Sequence, residues 1–473
     1  TEKAKQEEIE DIKNVEDKID EILGVTTNDK VEDIISKPVE GETEVYAIIF
    51  SDGTMELRKE KPTETENVVF KTEESFSNRL FKSKEEIPWI SYVDSIKEVK
   101  ITDEIVPRTT AMWFQGLKNL TKISNIQNLK TDKVASMESM FDGCTSLEEV
   151  DVSGFNTQEV INMCAMFQNC SKIKNLAMGN WDTSEVIDMG WMFNKCSALT
   201  NIDMSKFNTS NVKSARSMFQ LCSSLTSLNV SSFDTKNVED MRYMFNKCGK
   251  LANLDLKNFN TRKVTNMYGM FYECTGLTYL NVNSFDTANV TDMSFMFNKC
   301  EKLSSLDLKN FNTSNVTSMF AMFQYCRGLT YLNVSSFDTR NVEDMGYMFK
   351  FCENLTELDI SNFKTPKVES FYWMFQSCEK IGQLDLSGFQ TSKIQYFAGM
   401  FSGCSILKTT IVIDVSSIDS TPGYAYNQML LGAATAEGAQ ITIRYKASQK
   451  DIIDKMVETK SANSNIVLEV VAE

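Results

Sequence analysis

Between Thr131 and Cys404 the apolar positions of the chain return every 26 residues. One unit reads CSSLTSLNVSSFDTKNVEDMRYMFNKC, Cys222–Cys248. Leu228 and Val230 alternate about Asn229, the period-2 pattern of a half-buried strand. SSFDT is a turn that carries one apolar residue, Phe233. Val238, Met241, Met244 and Phe245 then recur at three- and four-residue steps, which predicts a short helical or 3₁₀ segment with one apolar face. A single unit of this kind cannot bury its own apolar side, whereas stacked copies can. The pattern therefore predicts an α/β repeat solenoid of about eleven coils over 106–410, with a parallel β-sheet face and short helical or 3₁₀ segments opposite.

The pattern changes at both ends. Residues 1–24 place Ile9, Ile12, Val15, Ile19 and Ile22 among charges at helical spacing, an amphipathic helix that either docks on the first coils or forms a stalk. Val25–Glu44 reads as a polar linker, which completes an N-terminal region of 1–44. Residues 45–105 suggest a small β-rich cap with a hairpin turning at Ser51–Thr54, where Asp-Gly is a strong turn signal. After Cys404 the period fades. TTIVIDV, QITIRY and NIVLEV read as strands and Ser448–Lys460 as a helix, an α/β C-terminal cap over 411–473.

Within the repeat several residue types form columns. Eleven of the twelve cysteines, Cys144 to Cys404, lie on the period, and only Cys164 lies off it. A Phe stands three residues before each and a Met four before. Metal arrays use paired ligands such as CxxC, and none is present. Stacked residues hold parallel Cβ vectors nearer the ~4.8 Å strand spacing than the ~3.8 Å of a disulfide. The column therefore reads as small, buried, inert thiols. Thr131 to Thr391 share the period without exception and read as turn threonines whose hydroxyls satisfy backbone groups between coils.

A second beat doubles the first. MFNKC recurs at Met192, Met244 and Met296, 52 residues apart. The polar residue inside the strand runs Asp203, Asn229, Asp255, Asn281, Asp307, Asn333, Asp359. The residue after the turn Phe runs Asn208, Asp234, Asn260, Asp286, Asn312, Asp338, in opposite phase. Like charges on facing strands repel, while an Asn amide donates to a flanking carboxylate. Alternation would turn two repulsive columns into hydrogen-bonded ones, and duplication of a two-coil unit would leave the same trace. The amides halve the charge and no DxDxDG loop is present, so the columns are not read as calcium sites.

Charge and composition remove several functions. With 49 basic against 65 acidic residues the net charge is −16, which disfavours nucleic acid or an anionic membrane as partner. The chain has no histidine, which excludes Ser-His-Asp and Cys-His catalysis. Its acids stand in periodic columns rather than converging as a glycosidase pair. No apolar run is long enough to span a bilayer. The chain opens at Thr1, the start expected of a mature or trimmed form. No catalytic residue, metal ligand or cofactor is expected.

FxxCxxLxxLxL followed by FDTxNVxxMxxMF resembles the 26-residue repeats of BspA-like leucine-rich repeat surface proteins, over roughly residues 110–410. VYAIIFSDGTMEL (Val45–Leu57) and WFQGLKNLTKISNIQNLKT (Trp113–Thr131) resemble the hairpin and atypical first repeat that open such arrays. The resemblance implies a right-handed leucine-rich-repeat coil in a secreted or wall-anchored bacterial protein. It also implies binding to surface proteins or glycans of host or neighbouring cells, with no enzymatic activity. The alternative is a structural spacer that displays a binding domain lying elsewhere.

Function then falls to outward positions. Tyr279 and Tyr331 take the exposed strand position in alternate coils, and Glu149, Asn175, Asn201, Ser227, Asn253, Ser305, Glu357 and Gln383 take it in the others. Before the Met-Phe pair stand Trp191, Tyr243, Phe295 and Tyr347, and one place earlier in the intervening coils Tyr268, Phe320 and Tyr372, with Trp373 beside the last. These rings either form a glycan or peptide platform or cover gaps between coils.

Replacing Asn229, Asn281 and Asn333 together by Asp is expected to cost roughly 0.5 kcal/mol or more per new like-charge pair at pH 7. The loss should largely recover at pH 4. Thermal melting at both pH values checks it, and equal melting at the two would remove the electrostatic account.

Overall fold

The computed structural model describes residues 26–418 and 424–472. The amphipathic pattern of 1–24 lies outside them. The chain divides into two compact units, each described by itself. One is Thr1–Leu199 with Lys206–Ala215, the other Thr200–Ser205 with Arg216–Glu473.

The first unit opens on a helix, α1, over 26–35. This corrects the linker expected there. Val31, Ile34 and Ile35 stand at i, i+3 and i+4, one apolar edge easily lost among charged neighbours. Val31 and Ile35 are buried against Leu80, Ala111, Ala135 and Ile161. The buried Arg108 guanidinium holds the far end of α1, donating to the Ile34 carbonyl at 2.7 Å. The expected hairpin is present: β1 (Tyr46–Phe50) pairs antiparallel with β2 (Thr54–Arg58). It turns at Gly53, whose φ of +90° suits glycine. With β3 (Val68–Lys71), β4 (Glu98–Ile101) and β5 (Lys122–Ser124) the hairpin makes a sheet in the order β3-β1-β2-β4-β5. The last two joins are parallel, so the sheet turns from hairpin to stacked coil within itself. The strands β6 (Glu149–Asp151) and β7 (Asn175–Ala177) continue in parallel one period apart.

In the second unit β8 (Asn253–Asp255) pairs with β9 (Tyr279–Asn281), and β10 (Ser305–Asp307) with β11 (Tyr331–Asn333), parallel and in register at the 26-residue offset. A parallel sheet of β12 (Lys408–Val412), β13 (Gln440–Lys446) and β14 (Ile466–Val471) closes the chain, with α2 (Lys450–Val457) between the last two. In both units the coils stack into a repeat solenoid.

Opposite the strands the expected helical segments are absent from the described coils; consecutive turns stand in their place. The backbone N–H groups explain why. Those of Met244, Asn246 and Cys248 bond three residues back, to Met241, Tyr243 and Phe245, while those of Tyr243, Phe245 and Lys247 bond sideways to Tyr268, Met270 and Tyr272 of the next coil at 2.7–3.0 Å. A helix would take every donor for itself. Here half are spent between coils, as in a sheet. Redirecting them requires left-handed backbone five residues and one residue before each on-period cysteine, as at Tyr243 (φ +55°) and Lys247 (φ +59°). Such conformations cost about 1 kcal/mol or more for a bulky side chain, which the lateral bonds offset.

Side-chain columns run along the same axis. Phe245 stacks on Phe271 with centroids 5.7 Å apart and planes 3° from parallel, and Phe141 on Phe167 at 5.2 Å and 2°. The on-period cysteines are buried and form no disulfide, and within each unit their thiols donate to a Phe carbonyl of the preceding coil, as Cys274 does to Phe245 at 3.0 Å. Burial pushes the thiols of Cys274, Cys326 and Cys404 up to about 12, far from reactivity at neutral pH. The threonines bridge coils as their period implied. The Thr287 hydroxyl donates to the Asn312 carbonyl at 2.9 Å and accepts the Asn312 N–H at 2.9 Å. The last of the column, Thr391, bonds to Val412 at the end of β12 and to Asp414 just beyond it.

Replacing Thr287 by Val keeps its shape but strands a buried N–H and carbonyl. It is expected to cost about 1–3 kcal/mol in urea denaturation, with Thr287→Ser losing much less. Equal stabilities for the two variants would show that the hydroxyl is dispensable.

Candidate functional site

Where a coil carries a strand it is three residues long, and its alternation leaves one inward side chain between two outward ones; 201–203, 227–229 and 357–359 follow the same path without forming the expected strand. Leu254, Leu280, Leu306 and Leu332 point inward. The preceding position is exposed in all ten coils from Glu149 to Gln383. Tyr279 and Tyr331 dominate this face, each 51% exposed. The outward position after the Leu holds the Asp/Asn column. Asn281 Nδ2 donates to Asp255 Oδ1 at 3.1 Å, and Asn333 to Asp307 at 2.9 Å, the pairing expected of the alternation. Each of these carboxylates also accepts a backbone N–H two residues on, Asp255 from Lys257 and Asp307 from Lys309. The same two-residue turn recurs in the column after the turn Phe, at Asn260 and Asp286 alike. Asp and Asn serve the turn equally, so the alternation is free to lower the charge.

The aromatic residues beside the Met-Phe pair form a different arrangement on the turn side. Within the second unit Tyr243, Tyr268, Phe295, Phe320, Tyr347 and Tyr372 zigzag from coil to coil with successive centroids 5.2–5.4 Å apart. All are half-buried, as are Trp191 in the first unit and Trp373 at the end of the zigzag. These rings pack on one another between coils, whereas Tyr279 and Tyr331 stand clear. The zigzag also accounts for part of the 52-residue beat. The left-handed position alternates large and small, and the Tyr243 ring lies where a Cβ on Gly269 would sit, 2.8 Å from its nearest atom. Sequence reading found the rings without the small partners that seat them.

Against families of known sequence, the model described as "Mycoplasma protein of unknown function, DUF285" matches residues 102–201, 162–279, 248–332 and 328–440. The chain belongs to the DUF285 family. The four matches overlap because a periodic chain fits a multi-coil model in several registers. No curated protein matches the chain. Among solved structures, a leucine-rich repeat protein from Eubacterium ventriosum is similar at 14% identity over 84% of this chain and 89% of that one. Its TM-score of 0.27 is too low to carry an argument.

Residues before 102 precede the DUF285 match, and they build a second feature that the sequence reading missed. A cleft of about 600 Å³ lies between α1 and the first coils, lined by Asp33, Ile34, Ile161, Ile187, Glu185 and Lys213 among others. Its signal in the sequence is positional. Ala135, Ile161 and Ile187 stand nine residues before their cysteines, where later DUF285 coils place Thr265, Thr291 and Thr317. Beneath α1, Asn162 Nδ2 donates to Asn28 Oδ1 at 3.1 Å and to Glu138 Oε2 at 3.2 Å. Burial pushes the Glu138 carboxyl up to about 7, with the negative Asp188 adding to the rise and the hydrogen bond with Asn28 opposing it. No three Cys, Asp or Glu side chains converge as a metal site among the described residues. No described helix is long and apolar enough to cross a membrane.

Because burial raises the Glu138 pKa above its ordinary 4.5, the folded first unit holds the proton more tightly. The packing around Glu138, on which α1 rests, should be most stable below pH 4.5, weaken as pH rises to about 7 and level off above, by at most roughly 3 kcal/mol. Amide exchange over 26–35 measures it. Glu138→Gln should flatten this dependence, and an unaltered profile in that variant would assign the effect to other carboxylates.

Proposed function

We propose that the chain is a non-enzymatic bacterial repeat protein, secreted or held at the cell surface. In this reading it recognises a protein or glycan of a host or neighbouring cell through its strand face. The supporting observation is the pair Tyr279 and Tyr331. Two half-exposed tyrosines project from a column whose outward residue differs from coil to coil, while the core residues of those coils hardly differ at all. Core packing gives no reason for such variation, and recognition surfaces of solenoids are built this way. Tyrosine suits the role, since its ring supplies contact area and its hydroxyl a hydrogen bond. The leucine-rich-repeat-like, right-handed coil and the kinship with BspA-like proteins belong to the same proposal. A structural spacer is the rival reading, favoured by the uniform core.

Glycan-array and matrix-protein binding by the full chain tests the proposal. Tyr279→Ala and Tyr331→Ala together should weaken the strongest interaction by about tenfold or more, as loss of interface tyrosines does. An unchanged affinity would clear the two tyrosines of the role, and silence on every array would favour the spacer.

A further inference from the structure

The alternation of large and small residues at the left-handed position breaks once in the second unit. Tyr347 and Trp373 occupy it in consecutive coils. Lys350 fills the step between them. Its Nζ lies 4.7 Å from the Tyr347 ring centroid, 5.1 Å from that of Trp373 and 5.4 Å from that of Phe351. Burial lowers the pKa of the ammonium, and no carboxylate among the described residues pairs with it.

Other cations on this side of the coils differ in one respect. Lys299 lies 5.7 Å from the Tyr272 centroid but pairs with Glu273 at 2.7 Å. Arg327 covers the stacked rings of Tyr325 and Phe351, and its charge is met by Glu353. Lys350 alone among these three stands against aromatic rings with no carboxylate. An ammonium is strongly hydrated, so partial burial without an anion leaves its charge undercompensated.

We propose that Lys350, Tyr347, Phe351 and Trp373 form a binding site for a carboxylate-bearing sugar, the uronic or sialic acid unit of a glycan. The ammonium takes the carboxylate as a charge-assisted pair, and the exposed edges of the half-buried rings contact the pyranose. A single cation matches one acidic unit. An extended acidic peptide would also seek backbone donors, and here those are spent between coils, the Tyr347 and Phe351 N–H groups on Tyr372 and Gln376 at 2.8 Å. This site deepens the recognition reading and rests on it, but it lies apart from the strand-face tyrosines and is tested apart from them.

The experiment titrates the full chain with sialyllactose, with an oligogalacturonate, with neutral lactose and with oligoglutamate, followed by calorimetry and tryptophan fluorescence. At least one acidic sugar should bind, with lactose and oligoglutamate at least tenfold weaker, and added salt should weaken the binding. The two acidic sugars separate sialate from uronate as the source. Lys350→Met, which keeps the packing volume, should lose at least tenfold, and Lys350→Arg should retain most of the binding. The site is overturned if no acidic sugar saturates the chain, if lactose or oligoglutamate binds as well, or if Lys350→Met binds like the parent. Any of these leaves strand-face recognition standing, just as failure of the tyrosine variants leaves this site standing.

Discussion

The constraint on which the coils depend is the sideways hydrogen bond of the turn segment. Every second N–H between the Met pair and the cysteine is given to the next coil. Once that is fixed, the backbone must enter the left-handed region twice per coil, and the Met, Phe and Cys side chains are driven into a narrow interior between two ladders. The Phe rings then stack nearly parallel because successive coils repeat the same geometry with little rotation. The threonine hydroxyl closes the remaining gap by serving as donor and acceptor at once. Backbone, ring column and hydroxyl column are three expressions of one lateral repeat.

That architecture separates chemistry from function. Residues with reactive reputations are neutralised: the thiols are buried, hydrogen-bonded and pushed far from ionisation, and the carboxylates of the strand face are tied into two-residue turns and amide pairs. What varies is what the repeat does not use, namely the outward strand residue, the rings flanking the Met-Phe pair and the ends. Ends matter for a further reason. The turn ladder continues one step past the last periodic coil, with Gly399, Phe401 and Gly403 donating to Asn427, Met429 and Leu431. It then stops on side chains, as the hydroxyls of Thr459 and Ser461 accept the N–H groups of Leu430 and Gly432. An aperiodic sequence thus supplies a coil-like rung and a terminus for it.

Much of this was legible because periodicity amplifies weak signals. A single SLNV is ambiguous, and Ser227–Val230 itself forms no strand, but the same alternation ten times over places Tyr279 and Tyr331 outward. The threonine bridges and the hairpin at Gly53 were readable for the same local reasons. The turn segment was misread as helical because Val238, Met241, Met244 and Phe245 have helical spacing whether or not the donors stay within the segment. The discriminating signal was at hand: Gly269 and Gly399 five residues before a cysteine, Gly143, Asn169 and Gly403 one before, all residues that tolerate positive φ. Helix α1 escaped because its partner is tertiary, an apolar stripe that only the first coils carry. Lys350 drew no attention, since a lone lysine is informative only once the rings around it and the missing carboxylate are seen.

The seating of Tyr243 on Gly269 has a consequence for how such chains change length. Large and small side chains, like carboxylate and amide, repeat only on every second coil. Unequal recombination between neighbouring coils would set two large rings or two carboxylates on adjacent rungs. Recombination across two coils restores both patterns without a seam. Arrays would therefore grow and shrink more smoothly by the pair, and the chain carries one seam of the other kind, where Tyr347 and Trp373 stand on adjacent rungs.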